Sequence, residues 1–149
     1  MSLTALRFVA VMLTAVAMAA GFAHLLELPN KLPLSREDYL TVQQIYRGWA
    51  LLGVVVVGAL VATVLLAIRL RGRGPDFHLT LAAALCIAAS LVIFFVFTYP
   101  ANQQTRNWTT LPAEWETLRR QWEYSHAVGA GLDFVALGAL TLSLLVRRT

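Results

Sequence analysis

Charge is scarce in this chain: of 149 residues only 13% are Asp, Glu, Lys or Arg, while 58% are hydrophobic. A soluble domain carries about a quarter charged residues. That deficit, with a mean hydropathy of +0.67, excludes an ordinary water-exposed surface and implies a membrane protein. Cysteine is nearly absent too. The single Cys86 lies in an apolar stretch, which rules out an intramolecular disulfide and a thiolate metal cluster. There is no glycine-rich phosphate loop, no serine-centred hydrolase elbow and no Cys-x-x-Cys, so the usual signatures of ATP use and thiol redox chemistry are missing. The net charge of +4 comes mainly from arginines flanking apolar runs. A basic patch interleaved with aromatics is lacking, and no nucleic-acid partner is expected.

What the chain has instead is four long apolar runs: Leu6 to Leu26, Trp49 to Ile68, Leu79 to Phe97, and Ala127 to Val146. Each is long enough to cross a bilayer core, which takes about 20 helical residues. The runs are continuous rather than alternating, so helices are favoured over barrel strands. The predicted fold is all-α, a four-transmembrane-helix bundle forming one integral membrane domain over residues 1–149, with a membrane-proximal helical extension before the fourth span. Small residues four apart at Ala17/Gly21, Gly58/Ala62 and Ala127/Gly131 allow close helix approach. They name no partner beyond the lipid bilayer, and homo-oligomerisation stays open. The first run resembles a signal peptide in its Arg7 and its small residues Ala17, Ala19 and Ala20. It exceeds the usual apolar core of about 7–15 residues and is read as a retained span.

Arg69, Arg71 and Arg73 crowd the short second connection, Arg7 lies near the N-terminus, and Arg147 and Arg148 follow the last span. This density predicts that both termini face the cytoplasm; the chain is expected to be a multi-pass protein of a bacterial inner membrane. The two long connections, about Glu27 to Gly48 and Thr98 to Ser125, then share the opposite face. In a eukaryote that face would be lumenal or extracellular, and the Asn107-Trp108-Thr109 sequon could be glycosylated. Pro29 and Pro33 are expected to break the chain after the first span, with Ser35-Arg36-Glu37-Asp38 starting a short amphipathic helix into the second. Pro100 is expected to end the third span, and Pro112 to open the last helix.

Trp115, Arg119, Trp122, His126 and Asp133 fall within one narrow sector of that last helix at about 100° per residue. A carboxylate inside a span is costly unless it faces the bundle interior and has a partner, so Asp133 is the sharpest single signal and a candidate titrating group for a binder or proton-coupled transporter. His24 and Glu27 are three apart at the end of the first span, and Glu123 and His126 have the same spacing at the start of the fourth. A His-x-x-Glu facing a Glu-x-x-His can hold a divalent metal, and paired histidines can hold a haem iron. The competing assignment gives Glu123 to Arg119 as an ion pair and Glu27 to Lys31 or Arg36. Tyr99, Trp108, Trp115 and Trp122 sit where an interfacial aromatic belt is expected. Because Trp115 and Trp122 share the Arg119/His126 face, these aromatics are also candidate walls of a slot for a small, flat, lipophilic aromatic ligand, with Asn102 as a polar contact.

Three segments carry a family resemblance: Phe22-Ala23-His24-Leu25-Leu26-Glu27-Leu28-Pro29, the turn Tyr99-Pro100-Ala101-Asn102, and Trp115-x-x-x-Arg119-x-x-Trp122-Glu123-x-x-His126. Together they resemble the small four-span membrane proteins grouped with fungal anthrone oxygenases. The resemblance implies oxidation of a tricyclic anthrone to an anthraquinone with molecular oxygen as co-substrate and no dedicated organic cofactor. It further implies His126 or His24 as base, Arg119 and Asn102 as partners of the developing oxyanion, and Trp115 and Trp122 as the slot.

Overall fold

The computed structural model describes residues 1–145. Val146 and the terminal Arg147 and Arg148 lie outside the described residues. Helix α1 spans Leu3–Lys31, α2 Arg36–Gln43, α3 Leu52–Arg69, α4 Pro75–Ile93, α5 Tyr99–Gln104 and α6 Trp115–Leu145. Four helical stretches are long and apolar enough to cross a membrane: Leu3–Lys31, Trp49–Arg69, Pro75–Gln104 and Trp115–Leu145. The chain is an all-α four-span bundle, with α1 and α4 each packed between α3 and α6.

One half of the bundle has an aliphatic core built from Leu6, Ala10, Leu66, Leu70, Ile87 and Leu140. At that end Arg7 pairs with Asp76 at 2.5 Å and ties the start of α1 to the start of α4. Phe8, Val54, Phe95 and Phe134 point outward and stay exposed. In water such a surface would drive association; around a bundle of this length it is the lipid-facing coat. Close approach is built in where α1 crosses α6, because a side chain added at Gly21 would lie 3.2 Å from the Ala130 backbone. Gly131 faces open space. Replacing Gly21 with Ile is therefore expected to lower unfolding stability in detergent by about 1–3 kcal/mol. Gly131→Ile should leave it nearly unchanged, and equal losses would remove the close-packing explanation.

The chain breaks at Pro33, just after α1 ends at Lys31, and Pro112 lies three residues before α6, but the expectations at Pro29 and Pro100 fail for identifiable reasons. Helix α1 runs through Pro29, and its last turn closes with Leu32 N donating to Leu28 O at 3.1 Å. A proline this near a helix end forfeits one amide donor without breaking the remaining turn. Pro100 likewise does not end the third span. The preceding residues Phe94–Thr98 wind as a π turn, with Tyr99 N donating five residues back to Phe94 O. Pro100 then falls in the first turn of α5, where a missing N–H costs little. The backbone of the π turn is also served from outside, by Gln121 Nε2 donating to Phe97 O at 2.8 Å.

The helix predicted to run into the second span is interrupted. Short 3-10 turns at Gln44–Tyr46 and Trp49–Leu51 flank Gly48, whose φ of +89° is one that L side chains rarely adopt. The two long connections meet at one end of the bundle, where Arg36 donates to Leu111 O at 2.6 Å and Gln44 to Trp108 O at 2.8 Å.

Candidate functional site

Beneath those joined connections lies a buried polar-aromatic cluster. His24, Glu27 and Lys31 share one face of α1, since their spacings of three and four follow the helical turn. From α6 come Arg119, Trp122, Glu123 and His126; α2 and the segment after it add Tyr39, Gln43, Tyr46 and Trp49.

The two histidines meet: their ring centroids are 4.3 Å apart. Trp122 lies 4.0 Å from His126 and 4.9 Å from His24, and Tyr46 and Trp49 close the far side of His24 at 4.5 and 5.4 Å. His126 Nδ1 is 2.9 Å from the Trp122 carbonyl oxygen. A carbonyl only accepts, so Nδ1 carries the proton and Nε2 keeps its lone pair. His24 is 5% exposed, and its Nδ1 has no hydrogen-bond partner.

Lys31 and Glu123 form an ion pair at 2.8 Å, almost wholly out of solvent at 3% and 0% exposure. Lys31 also donates to the Tyr46 hydroxyl at 3.1 Å, and that hydroxyl donates to Glu27. Glu123 accepts a second bond from the Tyr39 hydroxyl at 2.9 Å, and Gln43 donates to Tyr39 in turn. Burial, reinforced by the Glu123 carboxylate, pushes the Tyr39 phenol up. Burial and the Glu27 contact do the same to Tyr46. Both phenols therefore serve as neutral donors.

This geometry reassigns the carboxylates. Glu123 pairs with Lys31, and Glu27 accepts from Tyr46; Arg119 takes neither. Arg119 donates to Leu34 O at 2.9 Å, and its guanidinium lies 4.5 Å from the Trp115 ring and 5.3 Å from Tyr39, so it secures the first connection against α6.

The proposed ligand set of His24, Glu27, Glu123 and His126 does not converge. Among the described residues no group of three or more His, Cys, Asp and Glu is placed to hold a metal ion. Both glutamates already serve other donors. The histidine rings touch each other and leave no room for a porphyrin plane between them. A metal or haem does not fit this arrangement of side chains, and no step is derived through one.

Of the four aromatics singled out in the sequence, Trp108, Trp115 and Trp122 gather near Tyr39, which the sequence did not suggest. Tyr39 stands between Trp115, 6.1 Å away, and Trp108, 5.1 Å away, while Trp108 lies 5.9 Å from Trp122. Asn102 Oδ1 accepts from both indoles, Trp122 Nε1 at 2.8 Å and Trp108 Nε1 at 3.2 Å. Trp108 arrives there through Arg106, Asn107 and Trp108 itself, which all adopt positive φ, at 49°, 55° and 60°. Left-handed backbone at non-glycine residues costs about 1–2 kcal/mol each, so the surrounding contacts must hold this turn in place.

Asn102→Ala would strip the shared acceptor from two indoles. The expected loss is about 1–3 kcal/mol of stability, with a shift in tryptophan emission. An unchanged spectrum would mean that Asn102 is not their common anchor.

Two predicted residues stand apart. Tyr99 is 44% exposed on the outer surface, and its hydroxyl accepts from Gln103. Asp133 lies about two turns deeper than His126, 7% exposed, with Oδ1 unpartnered and Ser90 of α4 beside its carboxylate.

Sequence reasoning does not single out Lys31, Tyr39, Gln43 or Tyr46 as site residues. For Lys31 a signal exists: positions 24, 27 and 31 continue one helical face once the helix is allowed through Pro29. Tyr39 carries no such mark.

The class is thus a four-span α-helical membrane protein with a buried polar-aromatic cluster at one end. A scan against protein-family models and searches of curated proteins and solved structures found no match to this chain.

Proposed function

We propose that the chain is an integral-membrane oxidoreductase of the anthrone-oxygenase-like type, acting on a flat aromatic or quinone-like lipophile. Its site is the polar-aromatic cluster, placed by the arginine distribution on the non-cytoplasmic side, with both termini cytoplasmic.

The observation that carries this reading is the His24/His126 contact inside an aromatic enclosure, with His126 Nε2 left as a free lone pair. A base of that kind can take a proton from a C–H whose anion is delocalised into fused aromatic rings. The proton goes to Nε2, and the electron pair passes through the anion to oxygen. Over the turnover one dioxygen supplies the new carbonyl oxygen and leaves its other atom as water, carrying the two hydrogens lost from carbon. The amide group of Asn102 and the unpartnered Nε of Arg119 offset charge developing on the ring oxygen.

Oxygen uptake by purified protein in lipid nanodiscs, supplied with an anthrone, tests the reading. Uptake should match quinone formation one to one and exceed autoxidation; a rate no higher than the protein-free control overturns it.

A second reading, proton-coupled transport, is favoured by Asp133 alone, whose Oδ1 is buried without a partner. It expects uptake to lose its proton coupling in Asp133→Asn, and unchanged coupled uptake would remove it.

A further inference from the structure

The proposed chemistry assigns nothing to Lys31, yet Lys31 is the cation at the centre of the cluster. An ammonium has three donors. One goes to Glu123 Oε1 at 2.8 Å and one to the Tyr46 hydroxyl at 3.1 Å; no third acceptor lies in reach among the described residues. Glu123 shows the complementary deficit, because its Oε2 is fully buried and has no donor. The pair thus holds one acceptor without a donor and a third ammonium N–H that meets only ring faces.

Around Lys31 Nζ the walls are aromatic: the ring centroids of Tyr46, Trp122 and Tyr39 lie at 4.5, 4.6 and 5.8 Å. A hydroxyl is the group that accepts one bond and donates one, and a hydroxyl on an aromatic ring suits these walls. Water satisfies the same donor and acceptor but gains nothing from the rings. Arg119 offers no such couple. Its unpartnered atom, Nε, is a donor only, and its guanidinium is committed to Leu34 O and the faces of Trp115 and Tyr39.

We propose that Lys31 and Glu123 together bind the phenolic hydroxyl of the lipophilic aromatic substrate, so that this ion pair distinguishes a phenol from an O-alkylated ring. The proposal rests on the reading of the cluster as a site for such a lipophile. Its chemistry is consistent with the neighbouring histidines: Trp122 and Tyr46 flank both Lys31 and His24. A ring anchored by its hydroxyl at Lys31 is thereby directed toward the histidine pair.

The full chain in lipid nanodiscs is titrated with a hydroxyanthraquinone and with its O-methyl ether, followed by quenching of tryptophan fluorescence. The phenol should bind about 10- to 100-fold more tightly, as expected for hydrogen bonds to charged partners. In Lys31→Met/Glu123→Gln, which removes both charges at similar volume, the preference should vanish while the ether keeps its affinity. Equal binding of phenol and ether to the natural chain overturns the proposal and leaves the couple to water. Survival of the preference in the double variant overturns it as well. Binding of neither probe overturns the reading of the site as one for aromatic lipophiles, and the hydroxyl assignment falls with it. The comparison on the natural chain needs no variant, so it stands even if the double variant folds poorly.

Discussion

Lys31→Met alone is expected to destabilise the folded chain by about 3–5 kcal/mol, because it strands the buried Glu123 carboxylate without its counter-charge. Glu123 is 0% exposed, so bulk solvent does not reach the carboxylate to replace the ammonium. Glu123→Gln alone leaves the converse problem, a buried lysine whose remaining compensating charge among the described residues is Glu27, reached through Tyr46. The double variant Lys31→Met/Glu123→Gln should recover most of the loss. It removes both charges at once, and the carbonyl of the introduced glutamine can still accept from Tyr39. Buried ion pairs commonly behave this way, with single removals costly and joint replacement near neutral or even stabilising. Chemical unfolding in mixed micelles measures the cycle. If the two single losses simply add, the pair is not the isolated, desolvated unit that its 2.8 Å separation and burial indicate.

The largest kinetic effect is expected at His126. In the oxygen-uptake assay His126→Gln should lower kcat by about 10²–10⁴, the usual contribution of a positioned base. Its KM should change little, since glutamine can still donate to the Trp122 carbonyl and fill the space against the indole. His24→Gln should lower kcat less, because His24 adjoins the base and has no hydrogen bond on Nδ1 to fix its tautomer. The reverse ranking would transfer the base to His24. Equal and small effects in both variants would count against proton abstraction by either ring.

Much of the fold was legible because hydrocarbon imposes one simple rule, that long apolar runs become helices. The stripe on α6 was legible for the same reason. Polar residues inside a span have to face inward, and Arg119, Trp122 and Asp133 do so. The meeting of His24 and His126 followed from placing both near the same membrane face. What the sequence concealed depends on backbone details of a turn or less. Lys31 enters the cluster only because α1 continues past Pro29. Asn102 reaches the indoles only because a π turn absorbs Pro100. Tyr39 sits on an eight-residue helix whose position is set by contacts from the other long connection, notably Trp108. No periodicity within Arg36–Gln43 encodes that partner. The ion pairing of Glu123 was open for a related reason. An i,i+4 neighbour such as Arg119 is always available on paper, but Arg119 is drawn off by the Leu34 carbonyl.

The π turn at Phe94–Thr98 divides the third span into two lengths that differ in helical phase. A π turn is in effect one extra residue accommodated in an α-helix, so everything beyond it is rotated by about 100° relative to an uninterrupted helix. Winding the same residues as an uninterrupted α-helix, with none removed, would leave the inner half of the span, including Ile87 and Ser90, where it is. The outer half would turn by that angle, swinging Thr98 from Ser125, to which it is bonded at 2.6 Å, and Asn102 from both indoles. The chain would still cross the membrane with the same four spans, yet the end that holds the histidines would be out of step with the rest. The π winding of this segment, more than the identity of any residue in it, sets the alignment of the two ends of the bundle.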